Sequence, residues 1–185
     1  MIKQTFATIA ALAMLSLPAT LQADLPQGAR APNFSTQGAM AGKAFAFNLR
    51  SALRRGPVVL YFYPKAFTQG CTLEAHAFAE ASADFRAAGA TVIGMSADDV
   101  PTLKRFSTEA CRDKFAVASA SPQVINAYDV ALKNPDGTPS GLTSRTSYVI
   151  ARDGRIRMVY SNMNYAEHVR LTLAAVRAMK LARRS

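Results

Sequence analysis

Residues 61–72 (YFYPKAFTQGCT) contain a cysteine, Cys71, that follows a glycine and lies shortly after an apolar run ending at Pro64. A cysteine at the start of a helix is favoured as a thiolate, because the first backbone N–H groups lack partners and the helix dipole is positive there. Thr68 adds a hydroxyl that can donate or accept a hydrogen bond. Gly70 has no Cβ and allows close approach. The combination predicts a reactive thiol, whereas a lone cysteine is ordinarily a small buried hydrophobe.

Two buried strands and the helices after them are predicted to position this thiol. Residues 58–63 (VVLYFY) form a continuous apolar run, which is typical of a strand buried on both faces. Residues 72–88 repeat apolar side chains at helical spacing, and residues 91–96 (TVIGMS) predict a second buried strand. Ligands bind at the carboxyl ends of the strands in such sheets, and Cys71 lies just beyond that end of the first strand.

The rest of the chain continues the alternation of strands and helices. Strands are predicted at residues 43–49, 115–118, 147–150 and 156–160, and helices at residues 99–110, 122–128 and 166–181. Residues 24–42 are predicted to be an extended lead-in, residues 51–56 a basic turn and residues 133–144 a turn-rich loop. This order predicts an α/β fold, a central sheet covered by helices on both faces.

Residues 1–23 have the layout of a secretory signal peptide. Lys3 gives a positive start, residues 5–17 are almost wholly apolar, and small residues precede a cleavage point after Ala23. A buried N-terminal helix is the alternative, and Pro18 argues against it. The mature chain, residues 24–185, is then one domain, exported to the periplasm or secreted, with no stretch near the ~20 apolar residues of a membrane span.

The formal net charge is +10, concentrated in part in a basic C-terminal segment. An exported protein rarely meets nucleic acid, so we expect no nucleic-acid partner, and the basic segment is interpreted as a solvated face that can rest against anionic lipid or cell-wall polymer. The two His and two Cys residues lack metal-ligand spacing, which predicts no metal site.

Residues 64–71 (PKAFTQGC) match the active-site pattern of the peroxiredoxin family: Pro, three residues, Thr, two residues, Cys. Residues 58–75 resemble the bacterioferritin-comigratory, or Q-type, branch of that family. Residues 28–34 (GARAPNF) resemble its entry segment, and residues 144–156 resemble the stretch that carries its active-site arginine, here Arg145. The resemblance spans residues 25–181 and implies a thioredoxin-like fold with a central mixed sheet.

The resemblance also implies a thiol-dependent peroxidase. Cys71 would attack a hydroperoxide and become a sulfenic acid, Thr68 and Arg145 would hold the peroxide, and Pro64 would shape the pocket. From spacing alone, Arg145 is equally well a surface arginine. The family relationship implies hydrogen peroxide or organic hydroperoxides as substrates, a thioredoxin-like thiol reductant, no cofactor and a monomer.

Thiolate formation by itself explains little of a peroxidase rate. Lowering a thiol pKa from ~8.5 to about 6 raises the thiolate fraction at pH 7 roughly thirtyfold, but a Brønsted slope of ~0.45 costs about tenfold in nucleophilicity. Donors aimed at the breaking O–O bond must supply the remainder. We therefore expect Arg145→Met or Thr68→Val to lower the rate of peroxide reaction far more than the thiolate fraction.

The chain departs from the branch at the resolving position five residues after Cys71, which is His76. A subset of the branch places the resolving cysteine near the end of a later helix, which implies Cys111 and an intramolecular disulfide with Cys71. The alternatives are a one-cysteine peroxidase and a non-catalytic domain stapled by that disulfide. Thiol–disulfide exchange is disfavoured, because Glu74 occupies the second position of a Cys-x-x-Cys pair. Glu74 itself is interpreted as ordinary first-turn helix chemistry, and His168 as an exposed residue.

Overall fold

In the computed structural model, which describes residues 24–182, a seven-stranded mixed sheet forms the centre of the molecule. The strands are β1 (Ser35–Met40), β2 (Lys43–Asn48), β3 (Val58–Phe62), β4 (Thr91–Ser96), β5 (Ala116–Ser119), β6 (Ala131–Lys133), β7 (Pro139–Thr143), β8 (Thr146–Ile150) and β9 (Ile156–Ser161). The strand order of the central sheet is β2-β1-β5-β4-β3-β8-β9, and β6 pairs with β7 in a separate two-stranded sheet.

Helices cover both faces of this sheet. They are α1 (Leu49–Arg55), α2 (Gln69–Glu80), α3 (Ser82–Ala87), α4 (Val100–Glu109), α5 (Pro122–Ala127) and α6 (His168–Ala182), with a 3₁₀ turn at Tyr165–Glu167. Side chains of α2, α3, α4 and α6 share one core layer, and side chains of α1 and α5 share the other. The predicted α/β class, with helices on both faces of a mixed sheet, is confirmed.

Strand β3 separates the two core layers. Val59, Tyr61 and Tyr63 contribute to one layer, while Val58, Leu60 and Phe62 contribute to the other, as expected when successive side chains point to opposite faces. The strand is parallel to β4 and antiparallel to β8. Gly94 of β4 makes room for the Tyr61 ring, since a Cβ there would lie 2.8 Å from the ring.

The directions of neighbouring strands determine which residues lie together at each end of the sheet. Because β8 runs antiparallel to β3, Phe62 at the carboxyl end of β3 pairs with Thr146 at the start of β8. The residue before β8 is Arg145, which is thereby brought to the end of the sheet where α2 begins. At the opposite end Val58 pairs with Ile150, and the turn after β8 lies beside the end of α1, where Arg152 donates to the Arg54 carbonyl.

Several local predictions were wrong. The lead-in contains strand β1, which the sequence hides because Ser35–Met40 does not alternate and includes a glycine that lets β5 approach closely. The basic turn at residues 51–56 belongs to α1, capped by the Asn48 side chain, and the loop at residues 133–144 holds most of the β6–β7 hairpin. The single helix at residues 72–88 is two helices, separated at Ala81, where ψ is −1°.

Within residues 24–182, no helix is both long enough and apolar enough to cross a membrane. The predicted signal peptide, residues 1–23, lies outside the described residues, as do Arg183 and Arg184.

Candidate active site

Cys71 lies in the first turn of α2, as the sequence predicts. Thr68 is the N-cap residue, with extended backbone angles, and its carbonyl accepts the hydrogen bond from Thr72 N–H. The Cys71 side chain is 2% exposed and packs in the core layer that contains Ala75 and Phe78. The thiol therefore lies in the first turn of α2, at the positive end of the helix dipole.

Arg145 extends from the start of β8 to the thiol. Its Nη2 donates to Cys71 Sγ at 3.4 Å, its Nε donates to the Met163 carbonyl at 2.9 Å, and its Nη1 donates to the carboxylate of Glu74. The side chain is nearly buried. Burial alone would lower the Arg145 pKa, but the charges of Glu74 and Cys71 outweigh it, so the pKa is raised and the guanidinium stays positive.

Gly70 gives the guanidinium its space. A Cβ at position 70 would lie 3.3 Å from Arg145 Nη2, closer than an ordinary van der Waals contact. Gly70 therefore allows the close approach that the sequence predicts, and the group that approaches is the Arg145 side chain. A side chain at position 70 would crowd the guanidinium that contacts Cys71.

Glu74 is not the ordinary first-turn helix residue that the sequence predicts. Its side chain is fully buried and holds Arg145, while its second carboxylate oxygen has no hydrogen-bond partner among residues 24–182. Burial raises the pKa of Glu74 to about 8, although the adjacent guanidinium opposes the shift. No local pattern signals this burial, because a glutamate in the first turns of a helix is usually exposed.

His168, expected to be exposed, is fully buried, and that expectation was wrong. Its Nε2 lies 2.8 Å from the Asn162 carbonyl, which can only accept, so this nitrogen carries the proton in the neutral ring. Ser147 Oγ, 2.8 Å from Nδ1, then donates. Burial lowers the pKa of His168 and keeps the ring neutral. Its Nδ1 lies 3.9 Å from Glu74 Oε1, so the histidine borders the site.

Three hydrogen bonds hold the loop between β3 and α2, two from other parts of the chain and one within the loop. Ala66 N–H donates to Asp98 Oδ2 at 2.8 Å, the Thr143 hydroxyl donates to the Tyr63 carbonyl at 2.7 Å, and the Thr68 hydroxyl donates to the Lys65 carbonyl at 3.0 Å. Pro64 lies in this loop and is half-buried. Neither Asp98 nor Thr143 is recognisable as a site residue from the sequence, since both act on the loop only through tertiary contact.

Cys111 follows the end of α4 and is fully buried. Neither cysteine is in a disulfide. Both belong to the same core layer, and both are close enough to the Tyr61 and Tyr63 hydroxyls to influence their pKa values. Burial, together with the charge of Asp113, raises the pKa of the Cys111 thiol far above its ordinary value. Burial and Asp113 thus both favour the neutral form of the Cys111 thiol.

Comparison with known proteins identifies the family. The family model described as the AhpC/TSA family matches residues 27–159, which include Cys71 and Arg145. The chain belongs to the AhpC/TSA family of peroxiredoxins. This peroxiredoxin is 32% identical over 165 residues to a chloroplastic peroxiredoxin Q of Suaeda salsa, covering 89% of this chain and 73% of that protein. The expected family and its Q-type branch are confirmed.

Solved structures confirm the thioredoxin-like peroxiredoxin fold. BcpB, a peroxidoxin from Mycobacterium tuberculosis, superposes with a TM-score of 0.72 at 30% identity, over 83% of this chain and 97% of that one. The bacterioferritin comigratory protein of Xanthomonas campestris, studied for its alkyl peroxide reduction activity, gives a TM-score of 0.68 at 28% identity, over 78% and 91% of the two chains. The peroxiredoxin is accordingly a thiol-dependent peroxidase by family.

Proposed function

We propose that this peroxiredoxin reduces hydrogen peroxide and organic hydroperoxides with Cys71 as the attacking thiolate. The observation that carries the proposal is the 3.4 Å contact between Arg145 Nη2 and Cys71 Sγ at the start of a helix. Sulfur attacks one peroxide oxygen, the O–O bond breaks, and Cys71 becomes a sulfenic acid. The departing oxygen takes up a proton and leaves as water or an alcohol, so the sulfur is oxidised by two electrons and the peroxide is reduced by two.

Arg145 stabilises negative charge on the oxygen that leaves. Its fixed position, set by Glu74 and the Met163 carbonyl, means that little reorganisation is needed when this charge develops. The Thr68 hydroxyl hydrogen is already donated to Lys65, so its oxygen is the part available to accept a hydrogen bond from the hydroperoxide O–H. Pro64, half-buried in the same loop, shapes the pocket.

Cys111 is proposed to resolve the sulfenic acid. Its thiol sulfur displaces the oxygen of Cys71, which leaves as water, and the product is a Cys71–Cys111 disulfide. An external dithiol of the thioredoxin type then reduces this disulfide and is oxidised in turn. A fully buried Cys111 gives an external reductant no access to the disulfide, and the bond itself requires Cα atoms about 4.4–6.8 Å apart. Local unwinding is therefore part of the proposal.

Strained backbone next to each cysteine supports such unwinding. Phe67, just before α2, has a φ of 65°, and Arg112 and Asp113, just after Cys111, have φ values of 50° and 58°. Left-handed conformations cost L-residues roughly 1–2 kcal/mol each, which opening of these segments would release. An aromatic contact joins the loop before α2 to helix α4, which precedes Cys111, since the Phe67 ring packs edge-on against Phe106 with 5.2 Å between ring centroids.

The test is a thiol count and an intact mass after one equivalent of hydrogen peroxide, on the reduced parent protein and on Cys71→Ser and Cys111→Ser. We expect the parent to lose both thiols and about two hydrogens in mass. Cys111→Ser should form a sulfenic acid at the parent's rate, and Cys71→Ser should not react. Oxygen gained on Cys71 with Cys111 still free would make this a one-cysteine enzyme. No rapid reaction in the parent would refute the peroxidase and leave the non-catalytic disulfide-stapled domain.

Export and a monomeric state complete the proposal. The family match begins at residue 27, after the segment predicted to be a signal peptide, and residues 24–185 would form the mature single domain in the periplasm or outside the cell. An N-terminal sequence of the protein from its source, starting at Asp24 rather than Met1, would support cleavage. Sedimentation equilibrium of the reduced protein would test the monomer, and a mass of twice the chain would contradict it.

A further inference from the structure

The excess positive charge of the described residues is gathered at one end of the sheet. Residues 24–182 contain nineteen Lys or Arg and twelve Asp or Glu residues. Two adjoining grooves, of about 690 and 490 Å³, are lined by six of these cations and a single acid, Asp153. The six cations, here called the basic pole, are Arg30, Arg50, Arg54, Arg55, Arg152 and Lys180.

The charges of the pole are not neutralised within the described residues. None of its six side chains has an acidic ion-pair partner there, and Asp153 is itself paired with Arg157 at 2.6 Å. When the pole, Asp153 and Arg157 are set aside, the other described residues hold twelve cations and eleven acids. The remaining residues are close to neutral overall, so the positive charge is concentrated at the basic pole and is not spread evenly over the surface.

The pole also carries apolar surface. Pro57, Val176 and Met179 line the larger groove between its cations. Leu181, beside Lys180 on α6, is 67% exposed, the most exposed large hydrophobic side chain of the described residues. A smaller groove that Leu181 shares with Lys180 includes Asp84, which is paired with Arg177 at 3.1 Å.

We propose that the basic pole is a docking surface for an anionic phospholipid bilayer. Guanidinium groups bind phosphate oxygens bidentately, and each Lys or Arg near an anionic membrane adds to the attraction. Leu181 next to Lys180 provides an apolar residue that enters the interface while its cationic neighbour contacts headgroups. A nucleic acid is the weaker alternative, because no large aromatic side chain of the described chain is exposed at the pole for base stacking.

This placement fixes the orientation of the active site. The grooves lie where β3 and β4 begin and β8 ends, since Pro57, Gly89 and Ala151 line them, whereas Cys71 follows the carboxyl end of β3. A molecule docked by its basic pole therefore turns the Cys71 pocket away from the bilayer. Soluble peroxide and a soluble thiol reductant keep access to it.

The test measures co-sedimentation of the reduced mature chain, residues 24–185, with vesicles of phosphatidylcholine alone or with about 30% phosphatidylglycerol, at low ionic strength. The pole variant is Arg50→Gln, Arg54→Gln and Arg55→Gln, and the matched control is Lys43→Gln, Lys104→Gln and Lys133→Gln, which removes the same charge from exposed positions elsewhere. We expect binding only to the anionic vesicles, about a hundredfold weaker for the pole variant. The control should change by less than about threefold.

Leu181→Gln separates lipid from other polyanions. It leaves the charge unchanged and should weaken vesicle binding about tenfold, the scale of one leucine removed from water. Equal weakening by the pole variant and its control, or no binding by the parent, would overturn the proposal. Tighter binding to a DNA duplex than to vesicles at equal phosphate, with no effect of Leu181→Gln, would assign the pole to nucleic acid instead. Peroxide consumption in solution, which tests the separate peroxidase proposal, should be equal in all variants.

Discussion

Cys71 and Cys111 are almost equally buried, at 2% and 0% exposure, and they share one core layer, yet their surroundings are opposite. Cys71 lies at the start of a helix with a guanidinium 3.4 Å from its sulfur. Cys111 lies past the end of a helix, with the acidic Asp113 near enough to raise its pKa further. Burial alone therefore does not distinguish the two thiols. We expect the helix end and the sign of the nearest charge to decide which of them reacts with peroxide.

Among the variants proposed here, Arg145→Met should have the largest effect on the reaction of Cys71 with peroxide, because it removes the positive charge that Cys71 has beside it and Cys111 does not. We expect the second-order rate constant for oxidation of Cys71 by hydrogen peroxide to fall by about 10²–10³, the usual cost of one preorganised donor. Stopped-flow measurement of the reduced protein gives the constant directly.

Two controls make that result specific. Arg157→Met removes an arginine that pairs with Asp153 at the opposite end of the sheet from Cys71, and it should leave the rate constant unchanged. Thr68→Val should lower the rate, while Thr72→Val, in the same turn of α2, should not. An unchanged rate in Arg145→Met would show that the helix terminus alone activates Cys71.

Gly70→Ala should separate activity from stability. The new Cβ would crowd Arg145 Nη2, so we expect about a tenfold lower rate constant, since small misplacements of catalytic groups are costly. Alanine favours helix by about 1 kcal/mol over glycine, so the melting temperature should stay level or rise.

A double-mutant cycle checks the cause of the Gly70→Ala effect. In an Arg145→Met background the alanine should lower the rate no further. A full tenfold loss in that background would mean that Gly70 acts by another route.

Glu74→Gln should change how stability depends on pH. Burial raises the pKa of Glu74 from 4.5 to about 8, so the folded protein keeps a proton that the unfolded chain loses between these values. The free energy of unfolding should therefore fall as pH rises from 4.5 to 8, and the fall should be smaller in the variant. Urea denaturation at several pH values measures it.

His168 must be considered in the same window, because its lowered pKa makes stability rise with pH up to about 6.5. The comparison is therefore the difference between parent and Glu74→Gln at each pH, in which the histidine contribution cancels. The exposed Glu80→Gln is the matched control and should show no such difference. If the free energy of unfolding depended on pH in the same way in the parent and in Glu74→Gln, the result would contradict the raised pKa of buried Glu74.

Arg112→Gly should have the smallest effect and act on Cys111 alone. Glycine relieves the left-handed backbone at φ 50°, which should stabilise the reduced protein by up to about 1 kcal/mol. Formation of the Cys71–Cys111 disulfide should slow a few-fold, while oxidation of Cys71 should keep its rate. Lys114→Gly, in the same turn but without a left-handed φ, is the control and should destabilise the reduced protein. Faster disulfide formation in Arg112→Gly than in the parent would exclude release of backbone strain as a driving force.

The helix starts and buried strands of the fold were predictable because their signals are local. The run at residues 58–63, the predicted strand at Thr91–Ser96 and the glycine before Cys71 each follow from neighbouring residues. Strand β1 was not predictable, since its pairing with β2 and β5 is a property of the sheet and not of its own composition. Helix α1 was missed because its basic residues resemble those of a turn.

The α/β class, the place of Cys71 at a helix start after a buried strand, and the family pattern that includes Thr68 and Arg145 all follow from the amino-acid sequence. The burial of Glu74 and His168 beside that site, and the gathering of six cations from distant parts of the chain into one pole, follow from the folded structure. The two sets of features differ in how far apart along the chain their causes lie. A helix terminus is built from adjacent residues, whereas burial and the summed charge of a surface depend on which strands pair and in which direction.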